Sequence, residues 1–269
     1  MPVIQKVTHS RTSRLNCLSG DLRLLVYRPR MIPFLSPVCR AANRGTEGVI
    51  HVRGVTSLIP LINAYIRELE LFNAVFDLVG VDSGSEAGRS SLVVRHILDS
   101  LAPWKYIAAE SVRMRTPIAD GASDFTAPEI ADAGSGAGFP GIPLAMVFPD
   151  FKFTLIERMS KRCAFLENCI AVLRLKNATV RNVEVEKAPA AGFDLVVFRA
   201  FRPLDQKMTT TLLKLVRPAT GGALAAWKGR ADKISEEMSA LTNLITDWQM
   251  LPVTVPFLEH EERHLVVIR

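Results

Sequence analysis

Ile130-Ala-Asp-Ala-Gly-Ser-Gly-Ala-Gly-Phe-Pro-Gly-Ile-Pro-Leu144 decides how the chain is read. The apolar run that ends near Asp132 predicts a short strand, the glycines at 134, 136 and 138 a turn, and the residues from Ile142 the start of a helix. Glycine has no Cβ, takes positive φ and lets the backbone approach a ligand closely, so a nucleotide-like molecule is expected across this turn. A dinucleotide fold places a third glycine at position 139, completing G-x-G-x-x-G, and aims free helix amides at a pyrophosphate. Here position 139 is Phe, and Pro140 and Pro143 remove amide donors from the first helical turn. S-adenosylmethionine carries no phosphate and does not need those donors. Its methionine portion would pass Gly134 and Gly136, and Asp132 would meet its ammonium directly or through water.

Downstream of Pro128, short apolar strands alternate with helical stretches, the pattern of a parallel sheet covered on both faces. Strands are expected near Glu129–Ala133, Lys152–Glu157, Ala178–Asn182, Asp194–Phe198, Gly221–Trp227, Trp248–Val253 and His264–Ile268. Pro252, Pro256 and the polar run Glu259–Arg263 separate the last two without a helix, so the final strand is expected to run antiparallel. The fold class expected is α/β, and a Rossmann-like seven-stranded sheet with a reversed last strand, here behind an N-terminal helical extension, resembles the arrangement of the class I S-adenosylmethionine-dependent methyltransferases, an analogy of fold. Glu157 ends the second strand, where a carboxylate accepts hydrogen bonds from ribose hydroxyls. That role serves nicotinamide and adenosylmethionine folds alike, and an ion pair with Arg158 or Lys161 is the plainer alternative.

Upstream, Leu58, Ile62, Tyr65, Leu69, Phe72 and Phe76 recur at spacings of four and three, one apolar stripe along a helix. A second amphipathic segment follows, Leu92 to Leu101, with Val93, Ile97 and Leu101 on one face. Loop signals return at Pro103, Pro117 and Gly121. The division expected is a basic extension over 1–55 outside the mature fold, a helical cap over 56–127 and a methyltransferase domain over 128–269. Residues 1–55 carry nine Lys and Arg against two acids, a charge of +7, and the remainder sums to −1, so the net +6 arises in the extension. A transit peptide, a nucleic-acid-binding arm, and sequence ahead of a later start at Met31 all account for it.

A chain of 269 residues that is 48% hydrophobic and 22% charged is an ordinary globular composition. Without a run of about 18 apolar residues, no membrane span is expected. Cys17, Cys39, Cys163 and Cys169 have neither the spacing nor the His partners of a zinc site, so no metal is expected. Four free thiols fit a reducing, cytoplasmic compartment.

The turn with its double proline resembles that of the GidB/RsmG family of ribosomal RNA guanine-N7 methyltransferases. Arg95-His-Ile-Leu-Asp-Ser-Leu101, Lys161-Arg-Cys-Ala-Phe-Leu166, Arg199-Ala-Phe201 and Glu262-Arg-His-Leu-Val-Val-Ile268 agree in order and spacing, and Trp227-Lys-Gly229 is similar to a further segment. The resemblance spans about Leu58 to Arg269. It implies S-adenosyl-L-methionine as cofactor, 16S ribosomal RNA or the small ribosomal subunit as partner, and a monomer. The family's cofactor contacts fall on Gly134, Phe139, Val183, Glu184 and Arg199. Phe198 departs from the small residue often found before the Arg-Ala pair, which changes the pocket's shape.

N7 of neutral guanine has an in-plane lone pair, so methyl transfer to it needs no general base, and no catalytic acid or base is assigned. RNA is expected to meet Arg199, Arg202, Lys228, Arg230, Arg263 and His264, with Phe139 or Phe201 to stack on a splayed base. His96 and Asp99 stand at i and i+3, the spacing of a proton-relay or structural pair. Three other readings share parts of the pattern: a methyltransferase acting on a small molecule or protein, a nicotinamide oxidoreductase, and a ribosome-assembly factor that retains a cofactor pocket.

Overall fold

The computed structural model describes residues 38–43, 46–80, 85–114 and 127–269. It opens on an antiparallel hairpin, β1 (Val38–Asn43) with β2 (Thr46–His51), followed by α1 (Val55–Phe76). Next come α2 (Glu86–Leu92), a π-helical segment (Val93–Leu98), α3 (Asp99–Leu101) and α4 (Trp104–Arg113). The rest alternates: β3 (Glu129–Ala133), α5 (Gly141–Val147), β4 (Lys152–Glu157), α6 (Ser160–Leu173), β5 (Ala178–Asn182), β6 (Leu195–Arg199), α7 (Gln206–Leu215), β7 (Ala223–Lys228), α8 (Ala231–Ser239), β8 (Trp248–Pro252) and β9 (His264–Ile268).

The sheet order is β5-β4-β3-β6-β7-β9-β8, with β3 through β7 parallel and β9 antiparallel to both of its neighbours. The expected reversal of the final strand is present, and that strand is inserted between β7 and β8. Leu265 through Ile268 are fully buried there, because each face of a central strand is covered. Strand order reverses between β3 and β6, and in an open α/β sheet that switch point leaves a crevice beyond the carboxyl ends of the strands.

The stripe on α1 buries Leu58, Ile62, Tyr65 and Leu69 against the core, then thins: Phe76 is 40% exposed, under the ammonium of Lys161. On the second amphipathic segment Val93, Ile97 and Leu101 are buried as expected, although the middle of it is π rather than α.

Most of the basic extension, Cys17 and the loop signals at Pro117 and Gly121 lie outside the described residues. The last part of the extension does not sit apart from the fold. Ile50 and Val52 are buried in the main core, and Arg53 clips the end of α5 by donating its backbone N–H to Val147 O and its Nε to Met146 O, each at 2.9 Å. Terminal carbonyls of a helix need such outside donors, so the folded body begins ahead of residue 56. No described helix is long and apolar enough to cross a membrane, and no described group of three His, Cys, Asp or Glu side chains is placed to hold a metal.

Candidate functional site

The turn after β3 is held from below. Asp132 is fully buried; its Oδ2 accepts from the Ser135 hydroxyl at 2.8 Å and from the Gly141 amide at 3.0 Å. Oδ1 has no partner among the described residues. Burial pushes this carboxyl up to about 7, against the two hydrogen bonds that favour its ionised form. Asp132 therefore lies beneath the turn and does not line the cleft, where sequence reasoning had it meeting a ligand ammonium. Gly141 is needed for that fit, since a Cβ there would stand 2.6 Å from Asp132 Oδ2. From the other side Tyr65 on α1 donates its hydroxyl to Ala137 O, tying the N-terminal helix to the turn.

Gly134 has φ of +71°, and a Cβ on it would lie 2.1 Å from Cδ2 of Phe201. Only glycine satisfies both that backbone and that neighbour. Beyond it opens a cleft of about 420 Å³ lined by the turn, Phe139, Glu157, Arg162, Val183, Val185 and Arg199. Glu157 is buried at its floor, with Oε2 accepting from the Gly136 amide at 3.0 Å and Oε1 from the Met159 amide at 2.8 Å. An ion pair with Arg158 or Lys161 is not formed. Each oxygen keeps a lone pair for a further donor.

Val183 faces the cleft and Glu184 does not: its half-exposed carboxylate pairs with Lys187 at 3.0 Å. Sequence reasoning missed Arg162 and Val185 on the cleft wall; Val185 could have been found by extending the post-strand loop two residues. The donor set suits S-adenosylmethionine. It offers a carboxylate for ribose hydroxyls, valines for an adenine face and a backbone without Cβ atoms for the methionine tail.

Arg199, at the carboxyl end of β6, points back to the π segment. It donates to Asp99 Oδ2 at 2.8 Å, to Arg95 O at 3.0 Å and to His96 Nδ1 at 2.9 Å. A π turn displaces carbonyls from the usual ladder, which leaves the Arg95 oxygen available to a side chain. His96 and Asp99 thus meet through Arg199 and not as a relay pair. The guanidinium also lies 5.1 Å from the centroid of Phe139, whose ring contacts Tyr65 and His96. Phe139 is only 6% exposed, so it supports Arg199 and His96 and has no free face for a base. The next residue, Ala200, has φ of +47°, a strained conformation of the kind found where backbone geometry is dictated by a site.

A second cleft, about 380 Å³, shares His96, Arg199, Ala200, Phe201 and Arg202 with the first and continues to Phe198, Trp227, Lys228, Arg263 and His264. The basic residues assigned to RNA from the sequence gather around it, apart from Arg230, which lines a neighbouring groove, but each is already engaged. Arg202 pairs with Glu186 at 2.7 Å, Lys228 with Glu237 at 2.7 Å, Arg263 with Asp99 at 3.1 Å and Glu261 at 2.7 Å, and Arg230 with Asp232 at 2.5 Å. His264 Nδ1 lies 2.6 Å from Gly229 O. Burial, with Arg199 and Arg95 nearby, lowers His96 to about 4, so its imidazole is neutral at physiological pH.

Comparison with known proteins bears on this geometry. The model of the GidB family, described as rRNA small subunit methyltransferase G, matches residues 58–266. A ribosomal RNA small subunit methyltransferase G of Treponema denticola is 41% identical over 234 residues, covering 81% of this chain and 89% of that protein. The protein of the same name from Klebsiella pneumoniae is 36% identical over 207 residues, 77% of this chain and 86% of its own. Among solved structures, a SAM-dependent methyltransferase from Aquifex aeolicus aligns with a TM-score of 0.46 at 18% identity, covering 66% of this chain and 92% of that one.

Proposed function

Because the chain belongs to the GidB family of rRNA small subunit methyltransferases, we propose that it transfers the methyl group of S-adenosylmethionine to N7 of a guanine in 16S ribosomal RNA, acting as a cytoplasmic monomer. The observation that carries this reading is the pair of clefts that meet at His96, Arg199 and Ala200 beyond the switch point of the sheet. One is furnished for a nucleoside with an amino-acid tail; the other is ringed by basic side chains.

S-adenosylmethionine supplies a methyl group on a sulfonium, and the sulfur keeps the bonding pair when that methyl leaves. Guanine N7 donates its own lone pair, no proton is lost, and the positive charge ends on the base. The protein therefore needs no general base. In this reading Gly134 and Gly136 border the methionine tail, and Glu157 receives the ribose hydroxyls. Val183 covers the adenine face, with the backbone at Glu184 along its edge. Phe139 and Asp132 act indirectly, by fixing Arg199 and the glycine turn. Arg199 closes the wall between the two clefts, and α1 braces the turn through Tyr65 as part of an N-terminal helical cap. Holding donor and acceptor in line is the main catalytic contribution open to such a site, and such alignment is worth several kcal/mol.

Tritium transfer from labelled S-adenosylmethionine to 30S subunits and to deproteinised 16S RNA, both lacking the modification, tests the reading. Label on the guanine base is expected, and Gly134→Asp should abolish both cofactor binding and transfer. Cofactor binding without transfer to either RNA would point to another acceptor or to an assembly role.

A further inference from the structure

Where the second cleft joins the first, most polar side chains are committed to one another. Arg199 and Arg263 take both oxygens of Asp99, Arg95 pairs with Glu261, Lys228 with Glu237, and Trp227 Nε1 donates to Asp99 O at 3.1 Å. His96 is different. A guanidinium only donates, so the 2.9 Å contact from Arg199 requires the lone pair on His96 Nδ1 and puts the proton on Nε2. Among the described residues Nε2 has no hydrogen-bond partner. His264 is fixed the other way: Nδ1 faces a carbonyl oxygen and must carry the proton. His96 thus presents an uncharged, uncommitted ring donor at the junction of the two clefts.

A base that receives a methyl directly must sit at that junction. Guanine presents two adjacent acceptors on its major-groove edge, N7 and O6, whereas adenine replaces O6 with an amino donor. With N7 turned to the methyl, O6 is the neighbouring atom that the protein can read. We propose that His96 donates its Nε2–H to O6 of the acceptor guanine and thereby selects guanine over adenine. This rests on the reading of the protein as an RNA guanine-N7 methyltransferase. An uncharged donor suits the position, because charge develops on the purine as N7 is alkylated and a protonated imidazole beside it would oppose the reaction. The neutral state is maintained by burial and by Arg199 and Arg95. Adenine in the same place would set its amino group against Nε2–H, and leaving both donors unpaired is the strongest form of exclusion a small site can exert.

The test uses 30S subunits reconstituted with 16S RNA that carries guanine or 2-aminopurine at the nucleotide the wild type methylates. 2-Aminopurine keeps N7 and lacks O6. The wild-type kcat/KM is expected to fall at least about 30-fold on the analogue. His96→Ala should lose a similar factor on guanine and nothing more on 2-aminopurine, while binding S-adenosylmethionine normally by calorimetry. His96→Gln, whose amide both accepts from Arg199 and donates onward, should recover part of the preference for guanine and guards against an Ala variant that fails to fold. An equal loss for His96→Ala on both bases, or for His96→Gln if the Ala variant does not fold, would overturn the proposal, as would full activity on guanine. A wild-type enzyme that labels no guanine-containing subunit would instead defeat the underlying reading of the protein.

Discussion

Strand β6 begins and ends in a cluster of arginines and carboxylates, and the two clusters differ in a way that separates support from work. At its start Arg217 forks to Asp194 at 2.6 Å and Glu129 at 2.7 Å and donates to Gly192 O at 2.8 Å, while Lys152 also reaches Glu129. The charges balance, and the donors join the first residues of two adjacent strands. At the other end Arg95, Arg199 and Arg263 share Asp99 and Glu261, leaving a surplus of one positive charge beside a neutral imidazole and two clefts. A balanced cluster has nothing left to offer a ligand. The unbalanced one keeps a field for a polyanion and is built on strained backbone, as at Ala200.

The largest test of that contrast pairs the two arginines. Arg199→Ala should lower methyl transfer per folded molecule by roughly 100-fold or more, since positions at the junction of donor and acceptor tolerate little displacement, a loss well beyond the few degrees of Tm that its own three hydrogen bonds contribute. Arg217→Ala should behave in the opposite sense. The loss of three hydrogen bonds, two of them to charged groups, is expected to cost about 2 kcal/mol, or roughly 4–8 °C in Tm, with kcat/KM per folded molecule unchanged. Activity lost in Arg217→Ala without loss of Tm would erase the distinction.

A middle-sized effect concerns Asp132, buried between the two ends. Its carboxyl titrates near 7 in the fold against an ordinary value of 3.8. Between those values the folded protein holds a proton that the unfolded chain has released, so stability falls as pH rises from about 4 to 7 and then levels off. Asp132→Asn removes that slope. Melting curves at pH 5 and pH 8 should show the wild type losing roughly 5 °C more than the variant over this span. Parallel shifts in the two proteins would mean that the carboxyl is ionised throughout.

The smallest effect sharpens the comparison at its edge. Arg202 already answers Glu186 and stacks on Phe201, so Arg202→Ala should raise the KM for 30S subunits only about 2-fold, within the range of an exposed ion pair. A change tenfold larger, growing as salt is lowered, would show that the Glu186 pair opens when RNA arrives.

The glycine turn and the seven strands were legible because they rest on local signals: φ freedom at Gly134, alternation of strand and helix, a direct return before His264. The partner of a side chain is not local. Arg199 meets Asp99 across a separation of 100 residues, and nothing near Lys228 or Arg202 announces that a carboxylate will neutralise it. Composition also misled at the start of the chain, where arginine content concealed that Ile50, Val52 and Arg53 belong to the folded body. Asp132 was read as a ligand contact because a strand-end acid beside glycines serves either purpose, and only burial decides which. Glu184 was placed in the cleft and turned outward to Lys187 because two neighbouring residues, Val183 and Val185, had the stronger claim to an apolar wall.

The π segment at Val93–Leu98 behaves as a spacer measured in single residues. Shortening it by one would restore ordinary α geometry, the cheaper backbone. Five α residues turn through about the same angle as six π residues, so the helices on either side would keep their phase and their apolar contacts, while the carbonyl and side chains that meet Arg199 would be displaced. Selection for thermal stability alone would accept such a deletion. In a population screened only for folding, length variation across these six residues would therefore accumulate as inactive but robust protein.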